Sequence, residues 1–440
     1  MNVRNRLTDG RAVVAARDAD DTPDTTEIRR LAAAAGYDVV GELTQRRAED
    51  RRYNLGAGKA RDLADVVADA DADAVVFDGE LSPGQYADLL TLLPAGTTLV
   101  DRYRLVLEIF VAGAGSTAAR TQAELATLRY ELPRLERAEG ESALNRAFFE
   151  KGSPVLDAER RIDALEAKLD GITDAAADRR ERRRAEGFDL VALAGYTNAG
   201  KSTLLRRLAD DMAVAPPSAE GHADLAEAAT AEDRLFETLE TTTRRATLDG
   251  RRVLCTDTVG LVADLPHDLV RSFSATLDEI AAADAVLAVV DASADEDRLR
   301  RRLETTVEVL AADATGPVIP VVNKVDRLDD DGRAAALAAV ADVLAGGDVD
   351  TREPVAVSAL DGAGLDRLRS ALVDALPGAT ASFAVPNSGA AQAFLSWLHE
   401  HGDADATYGA DAVAVEFAGK PSVVEEARRR ADALGDACGE

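Results

Sequence analysis

The stretch GYTNAGKST, residues 195–203, follows the apolar run LVALA and decides the fold of the central part of the chain. Gly195, four further residues and then Gly200, Lys201 and Ser202 have the spacing of a phosphate-binding loop between a strand and a helix. Glycine lets backbone amides turn toward phosphate oxygens, the lysine supplies a point charge, and the serine hydroxyl can ligate magnesium. The residues expected to contact a nucleotide here are Gly195, Asn198, Ala199, Gly200, Lys201, Ser202 and Thr203.

The motif NKVD at 323–326 decides which base is bound, because it follows the apolar strand VIPVV. In a doubly wound sheet, ligands bind beyond the carboxyl ends of the strands. The Asp326 carboxylate can accept both N–H groups of guanine's Watson–Crick edge, whereas adenine offers a bare ring nitrogen, so GTP is favoured over ATP. Asn323 is predicted to tie this loop to the phosphate loop, and Lys324 to lie over the ring. The segment expected to brace the guanine is Ser358, Ala359 and Leu360.

A third motif, DTVG at 257–260, follows another apolar strand. There the Asp257 carboxylate would hold magnesium through water, and the Gly260 amide would sense the γ-phosphate. Upstream, the threonine-rich stretch LFETLETTTRR predicts that Thr242 closes over the metal, with Thr243 as the alternative. The predicted magnesium ligands are Ser202, Thr242 and Asp257.

The residue that orients the hydrolytic water cannot be identified from the sequence. Ras-like GTPases use a glutamine near the end of this switch, but here Leu261 follows Gly260 and has no hydrogen-bonding group. We therefore expect slow intrinsic hydrolysis that a partner stimulates. The alternative is a nucleotide-controlled binding module that recruits a protein partner with negligible hydrolysis.

Other nucleotide-dependent functions fit less well. An ATP-dependent helicase or kinase is disfavoured by NKVD and by an aromatic content of only 4%. A second glycine-rich segment, GAGK at 56–59, lacks the full phosphate-loop spacing. We interpret it as an ordinary turn, so nothing there requires ATP binding.

Composition indicates a multidomain globular chain of 440 residues with a net charge of −29. The acidic excess is spread along the chain and is typical of proteins adapted to concentrated salt, so it does not exclude nucleic acid as a partner. Arginine clusters that could touch RNA are Arg46–Arg47, Arg51–Arg52, Arg179–Arg180 and Arg182–Arg184. No membrane or secretory segment is apparent and only two cysteines are present, so we expect a cytoplasmic monomer without disulfides, with magnesium as its only metal.

Alternating apolar runs and helical patterns predict an α/β protein built around a P-loop GTPase domain. A small α/β domain and then a helical hairpin precede this domain, and a small α+β domain follows it. The hairpin is predicted from two apolar stripes at helical spacing: Leu125, Leu128, Leu132 and Leu135 on one helix, and Ile162, Leu165, Leu169 and Ile172 on the other. The predicted boundaries are 1–101 for the N-terminal domain, 102–186 for the hairpin, 187–378 for the GTPase domain with an acidic insertion at 210–232, and 379–440 for the C-terminal domain.

Together these motifs resemble the HflX family of translation-associated GTPases. The likeness covers most of the chain through GYTNAGKSTL, LFETLETTTR, DTVGLVADLPHDLV and NKVD, and through DRYRLVLEIF and ELATLRYELPRL ahead of the GTPase domain. The chain departs from the family in having EKGSP at 150–154 in place of a GPGE-type turn, and in the insertion at 210–232.

The resemblance implies GTP and GDP as ligands and the large ribosomal subunit with its RNA as partner. It also implies a role in splitting or rescuing stalled ribosomes under stress, with the N-terminal domain and hairpin reaching ribosomal RNA.

Overall fold

The computed structural model describes residues 10–114, 116–144, 153–209, 242–258, 274–346 and 349–436. These residues fall into two compact units, and the main division lies within a long helix, after Thr173.

The first unit contains a four-stranded parallel sheet in the order β2-β1-β3-β4, covered by helices. Its central strand β1 has five consecutive buried residues, as expected when both faces of a parallel sheet are covered. The elements are β1 (Gly10–Asp18), α1 (Thr26–Ala34), β2 (Tyr37–Arg46), α2 (Ala57–Asp69), β3 (Ala74–Asp78), α3 (Pro83–Leu90), β4 (Thr98–Asp101) and α4 (Arg102–Gly113).

Helix α4, which the sequence places in the helical hairpin, packs against the long helix that follows it and also against β3, β4 and α1. Its first residue, Arg102, is buried and bridges Asp78 at 2.6 Å and Glu27 at 2.5 Å. Asp101 caps the helix by accepting a hydrogen bond from the amide of Arg104 at 2.8 Å. A charged residue at a helix start therefore lies inside this packing, which a hydrophobic pattern does not reveal.

Two long helices, α5 (Thr117–Leu144) and α6 (Pro154–Ala185), follow α4. The leucine and isoleucine stripes predicted for the hairpin meet in one cluster of Leu125, Ile162, Leu165 and Leu169, against which Leu128 and Leu132 pack. Leu135 and Ile172 are half-buried and lie outside it. Apolar residues at helical spacing thus make the contact between the two helices.

The second unit contains a six-stranded sheet in the order β10-β9-β8-β5-β7-β6, parallel except for β6. Its strands are β5 (Asp189–Gly195), β6 (Thr242–Leu248), β7 (Arg251–Asp257), β8 (Ala285–Asp291), β9 (Val318–Asn323) and β10 (Val355–Ala356). Its helices are α7 (Lys201–Leu208), α8 (Ser274–Ala281), α9 (Glu296–Asp313), α10 (Asp330–Ala345) and α11 (Leu365–Ala375), with a short 3-10 helix at Val325–Arg327.

The end of the chain forms a three-stranded antiparallel sheet in the order β11-β13-β12, with two helices. The elements are β11 (Ala379–Pro386), α12 (Gly389–His401), β12 (Gly402–Tyr408), β13 (Ala412–Gly419) and α13 (Pro421–Asp436). Inward-facing residues alternate along β13 and pack on both helices, which gives this part a core of its own.

A buried ionic cluster joins the three-stranded sheet to the starts of β5 and β7. Asp189, which is 1% exposed, accepts hydrogen bonds from Arg251 at 2.7 and 3.0 Å and lies 3.6 Å from the ammonium of Lys420. Burial raises the pKa of Asp189, and the two cations act against that shift. A buried carboxylate needs such partners, because removing one leaves an uncompensated charge.

This architecture confirms the predicted fold class: an α/β N-terminal domain, paired helices, a P-loop GTPase domain and a small α+β C-terminal domain. The domain boundaries remain predictions. Within the described ranges, no helix has both the length and the apolar character needed to cross a membrane.

Candidate functional site

The residues that end four neighbouring parallel strands form one edge of the six-stranded sheet, and three of them have polar side chains. Gly195 ends β5, Asp257 ends β7, Asp291 ends β8 and Asn323 ends β9. The strand order reverses at β5, which lies between β7 and β8. Such a reversal at the carboxyl ends of strands is where open α/β sheets bind ligands.

The phosphate loop needs glycine at two positions for different reasons. Gly195 has φ +139°, and an added Cβ would overlap the carbonyl oxygen of Val289 in β8. Gly200 has φ +94°, and an added Cβ would overlap the side-chain amide of Asn323. Both are backbone conformations that favour glycine. The loop therefore lies against both β8 and the NKVD segment.

Lys201 is the first residue of α7, and its side chain is buried under the loop. Its ammonium donates hydrogen bonds to the carbonyls of Gly195 at 3.0 Å and Tyr196 at 3.1 Å. Burial lowers the pKa of Lys201, and the Asp257 carboxylate acts in the opposite direction. The cation is thus already held beneath the segment that is expected to wrap phosphates.

Ser202 and Asp257 meet at the end of β7. The serine hydroxyl donates to the fully buried carboxylate at 2.5 Å. Hydroxyl and carboxylate oxygens are hard ligands of the kind that magnesium prefers, so this pair fits the ion. Thr242 is exposed and pairs in register with Asp257 across the β6–β7 ladder. The Thr243 hydroxyl lies 3.0 Å from that of Thr256, so it is engaged within the ladder.

Asn323 connects the phosphate loop to the segment predicted to brace the base. Its side-chain amide donates to the Ala199 carbonyl at 2.8 Å, and its side-chain oxygen accepts from the Ala359 amide at 3.0 Å. Asn323 is 2% exposed, so both bonds are shielded from water. The Ala359 amide, expected to brace guanine, is therefore bonded to Asn323 in this structure.

Lys324 has a left-handed backbone with φ +66° and a buried side chain. Its ammonium donates to the Asn198 carbonyl at 2.7 Å and lies 3.1 Å from the Asp291 carboxylate. Burial acts to raise the pKa of Asp291, but the Lys324 ammonium and the hydrogen bonds from Ser293 lower it below its usual range. The lysine therefore links the phosphate loop to the end of β8.

Two residues of this site were missed by the sequence reasoning. Asp291 could have been found, since it ends an apolar strand, AVLAVVD, just as Asp257 does. Arg207 could not. It donates to the carbonyls of Ala359, at 2.9 Å, and Leu360, which lie more than 150 positions away.

The residues predicted to recognise the base follow β9 and β10. Asp326 is exposed within the 3-10 helix that follows β9. Ser358 is fully buried, and its hydroxyl accepts a hydrogen bond from the Asp361 amide at 3.2 Å, whereas Leu360 is 40% exposed. Gly260, Leu261 and the acidic insertion at 210–232 lie outside the described residues.

We expect Gly200→Ala to reduce the free energy of guanine nucleotide binding by more than it reduces the free energy of unfolding. The added methyl group must displace the Asn323 amide, which is buried and bonded at both ends, and the strained backbone adds about 1–3 kcal/mol. Isothermal titration with GDP, alongside urea unfolding of the free protein, separates the two effects. Gly389→Ala is the matched control, because its added Cβ meets open space at the start of α12. Unchanged GDP affinity in Gly200→Ala would contradict the geometry.

Two family models match the chain. The one described as GTP-binding GTPase N-terminal matches residues 23–111, and the one described as 50S ribosome-binding GTPase matches residues 190–324. The second match spans the phosphate loop, the DTVG motif and the start of NKVD.

Sequence relatives extend the similarity across most of the chain. The GTPase HflX of Thermococcus kodakarensis is 38% identical over 314 residues, which cover 69% of this chain and 67% of the relative. The GTPase HflX of Escherichia coli is 33% identical over 325 residues, which cover 70% of this chain and 71% of the relative. Among solved structures, that of the SsGBP and GDP complex aligns at 21% identity and a TM-score of 0.47, covering 83% of this chain and 97% of that chain. On the sequence relatives and the GTPase family model, the protein is a GTP-hydrolysing enzyme that belongs to the HflX family of GTPases.

Proposed function

We propose that this GTPase binds GTP with magnesium at the edge of the six-stranded sheet and works on the large ribosomal subunit, where it splits or rescues stalled ribosomes. The observation that carries the nucleotide part is the pair of Asn323 hydrogen bonds, which join the phosphate loop to the base-side segment. The ribosomal part is supported by the match of residues 190–324 to a family described as a 50S ribosome-binding GTPase.

Each part of the nucleotide has a proposed partner. The loop amides from Asn198 to Thr203 cradle the phosphates, and Lys201 exchanges its carbonyl partners for phosphate oxygens. Ser202 and Asp257 would hold magnesium, joined by Thr242; when bound, the ion supplies positive charge to the phosphates. Asp326 reads the guanine edge, and Ser358 to Leu360 brace it.

The side chain that follows the DTVG motif cannot orient the attacking water. Leu261 stands where a glutamine would orient the attacking water, and leucine neither donates nor accepts a hydrogen bond. The water then has to be positioned by another residue or by the partner. We therefore propose that hydrolysis is slow in the free protein and accelerates on the ribosome, so that it times release.

The basic side chains that could reach ribosomal RNA differ in their exposure and in their ion pairs. Arg46, Arg47, Arg51 and Arg52 are exposed in the first unit. In the second unit, Arg179 and Arg182 are exposed, whereas Arg180 pairs with Glu279 at 2.9 Å and Arg184 lies 3.6 Å from Asp284. Exposed arginines supply the salt-dependent phosphate contacts on which RNA binding depends. We propose that Arg46, Arg47, Arg51 and Arg52 make such contacts.

We also propose that the protein acts as a cytoplasmic monomer.

GTP hydrolysis should rise at least about tenfold when large ribosomal subunits are added, because the subunit would position the water that Leu261 cannot. The measurement is phosphate release with and without large subunits across a series of salt concentrations, with small subunits as the control. The series is needed because phosphate contacts weaken as salt rises. No stimulation at any salt concentration would remove the large subunit from the proposal.

Leu261 is also consistent with a nucleotide-controlled binding module whose main output is recruitment of a protein partner. In that case the GTP form binds the partner, and hydrolysis stays near its intrinsic rate. Nucleotide-dependent capture of large subunits without stimulated phosphate release would favour this second function.

A further inference from the structure

Arg207, near the end of α7, holds the base-side segment by its backbone. Its Nε donates to the Ala359 carbonyl at 2.9 Å, and its Nη2 donates to the Leu360 carbonyl. The planar guanidinium presents these donors in a fixed fork, so one side chain sets two successive carbonyls. Arg369 of α11 donates to the carbonyl of Arg207 itself at 3.2 Å, which steadies the end of α7.

These bonds determine where the Leu360 amide points. The Ala359 carbonyl and the Leu360 N–H belong to one planar trans peptide, so they point in opposite directions. With its carbonyl held toward α7 by Arg207, that peptide turns the Leu360 N–H away from the helix. The Leu360 carbonyl shares the next peptide with the Asp361 amide, which donates to the Ser358 hydroxyl at 3.2 Å.

Asn323 anchors the preceding peptide by accepting a hydrogen bond from the Ala359 amide at 3.0 Å. Three consecutive peptides are therefore fixed: one by Asn323, the next by Arg207, and the third by Arg207 together with Ser358. The Ala359 amide donates to Asn323 and the Asp361 amide to Ser358, so the Leu360 amide is the one that Arg207 orients through the Ala359 carbonyl.

We propose that Arg207 is a positioning residue for guanine recognition: it aims the Leu360 amide at the 6-oxo group of the base. The inference rests on the proposed base-binding role of Ser358–Leu360. An N–H placed there stabilises the guanine oxygen and opposes the adenine amino group at the same position. Arg207 lies six residues after the phosphate-loop Lys201 on the same helix, so one helix sets both ends of the nucleotide site.

The test compares Arg207→Met with the wild-type protein against three nucleotides. GTP carries both the 6-oxo and the 2-amino groups, 6-thio-GTP replaces only the oxygen with a poor acceptor, and inosine triphosphate lacks only the 2-amino group. In the variant, GTP affinity should fall about tenfold, which is the worth of one good hydrogen bond. The preference for GTP over 6-thio-GTP should shrink by the same factor, whereas the preference for GTP over inosine triphosphate should not change.

Arg300→Met is the control for losing an arginine, since Arg300 bonds to carboxylates on α9 and α10, Glu296 at 3.0 Å and Asp342 at 2.8 Å. It should leave all three affinities unchanged. Arg207→Lys, which keeps the charge but not the fork, should fall between the wild type and Arg207→Met, and urea unfolding of each free protein shows whether it is folded.

A folded Arg207→Met that keeps the wild-type preference for GTP over 6-thio-GTP overturns the role of Arg207. An equal loss for all three nucleotides also overturns it, because a general weakening indicates packing alone. If the wild-type protein itself does not distinguish GTP from inosine triphosphate or ATP, the proposed guanine site fails instead.

Discussion

Replacing Lys201 with methionine should abolish high-affinity GTP binding and hydrolysis while leaving the protein folded. The ammonium is expected to serve two phosphate groups, and charge-assisted hydrogen bonds are worth about 1.5–3 kcal/mol each, so GTP and GDP affinity should fall by about 10² to 10⁴. Equilibrium titration with a fluorescent GDP analogue and phosphate release at saturating GTP measure the two losses.

Stability should respond differently to the same change. Burial lowers the pKa of Lys201, so folding disfavours its charged form. That cost exists wherever the unfolded lysine is protonated, and it disappears as the pH rises through the pKa of the unfolded state. Methionine removes the cost, so the free variant at neutral pH should not unfold more readily on account of the lost charge. Only the rise in melting temperature on adding GDP should be lost.

Lys59→Met is the matched control, because Lys59 ends the other glycine-rich turn, GAGK, at the start of α2 in the first unit. It should bind and hydrolyse GTP like the wild type. If Lys59→Met lost binding and Lys201→Met kept it, the nucleotide site would have to lie in the first unit.

Asp326→Asn should change the base preference of the site from guanine to xanthine. The carboxylate is proposed to accept two N–H groups of guanine, whereas an amide can donate to the 2-carbonyl of xanthine. Sites built to hydrogen-bond a ligand reject the mismatched one by roughly 10⁴ in favourable cases, so GTP affinity should fall by about 10² to 10⁴ and xanthosine triphosphate affinity should rise. Asp326 is exposed, so the substitution does not create a buried unpaired group.

A nearby aspartate separates this effect from a general loss of charge. Asp329 caps α10 by accepting a hydrogen bond from the Gly332 amide at 2.8 Å. Asparagine is an equally good capping residue, so Asp329→Asn should keep both stability and GTP preference. Competition binding with GTP, xanthosine triphosphate and ATP reads out both variants. Unchanged GTP binding by Asp326→Asn would refute the base assignment.

The parts of the fold and site that could be predicted from the sequence are those set by local spacing. The phosphate loop lies between β5 and α7, and NKVD follows β9, because an apolar strand followed by a polar turn is visible in a single stretch of chain. The leucine stripes of α5 and α6 were equally visible, since helical periodicity alone produces them.

The missed features depend on contacts between distant segments. Arg207 looks like any charged residue on an amphipathic helix until the chain brings Ala359 beside it. Arg102 opens a helix that the sequence joins to the hairpin, yet its partners Asp78 and Glu27 lie in the sheet domain. A buried arginine with two carboxylates breaks the rule that charged residues face solvent, so hydrophobic patterning does not reveal these contacts.

Strand β5 connects the ionic cluster to the nucleotide site. Asp189 at its beginning accepts a hydrogen bond from Arg251 and forms an ion pair with Lys420. Gly195 at its end begins the phosphate loop, and all seven residues of the strand are buried. A ligand that binds only the folded form stabilises everything that must unfold with its site. Guanine nucleotides should therefore protect the last sixty or so residues from thermal unfolding and proteolysis, although they bind at the opposite end of β5. Truncating the chain before Lys420 should in turn lower its affinity for nucleotide.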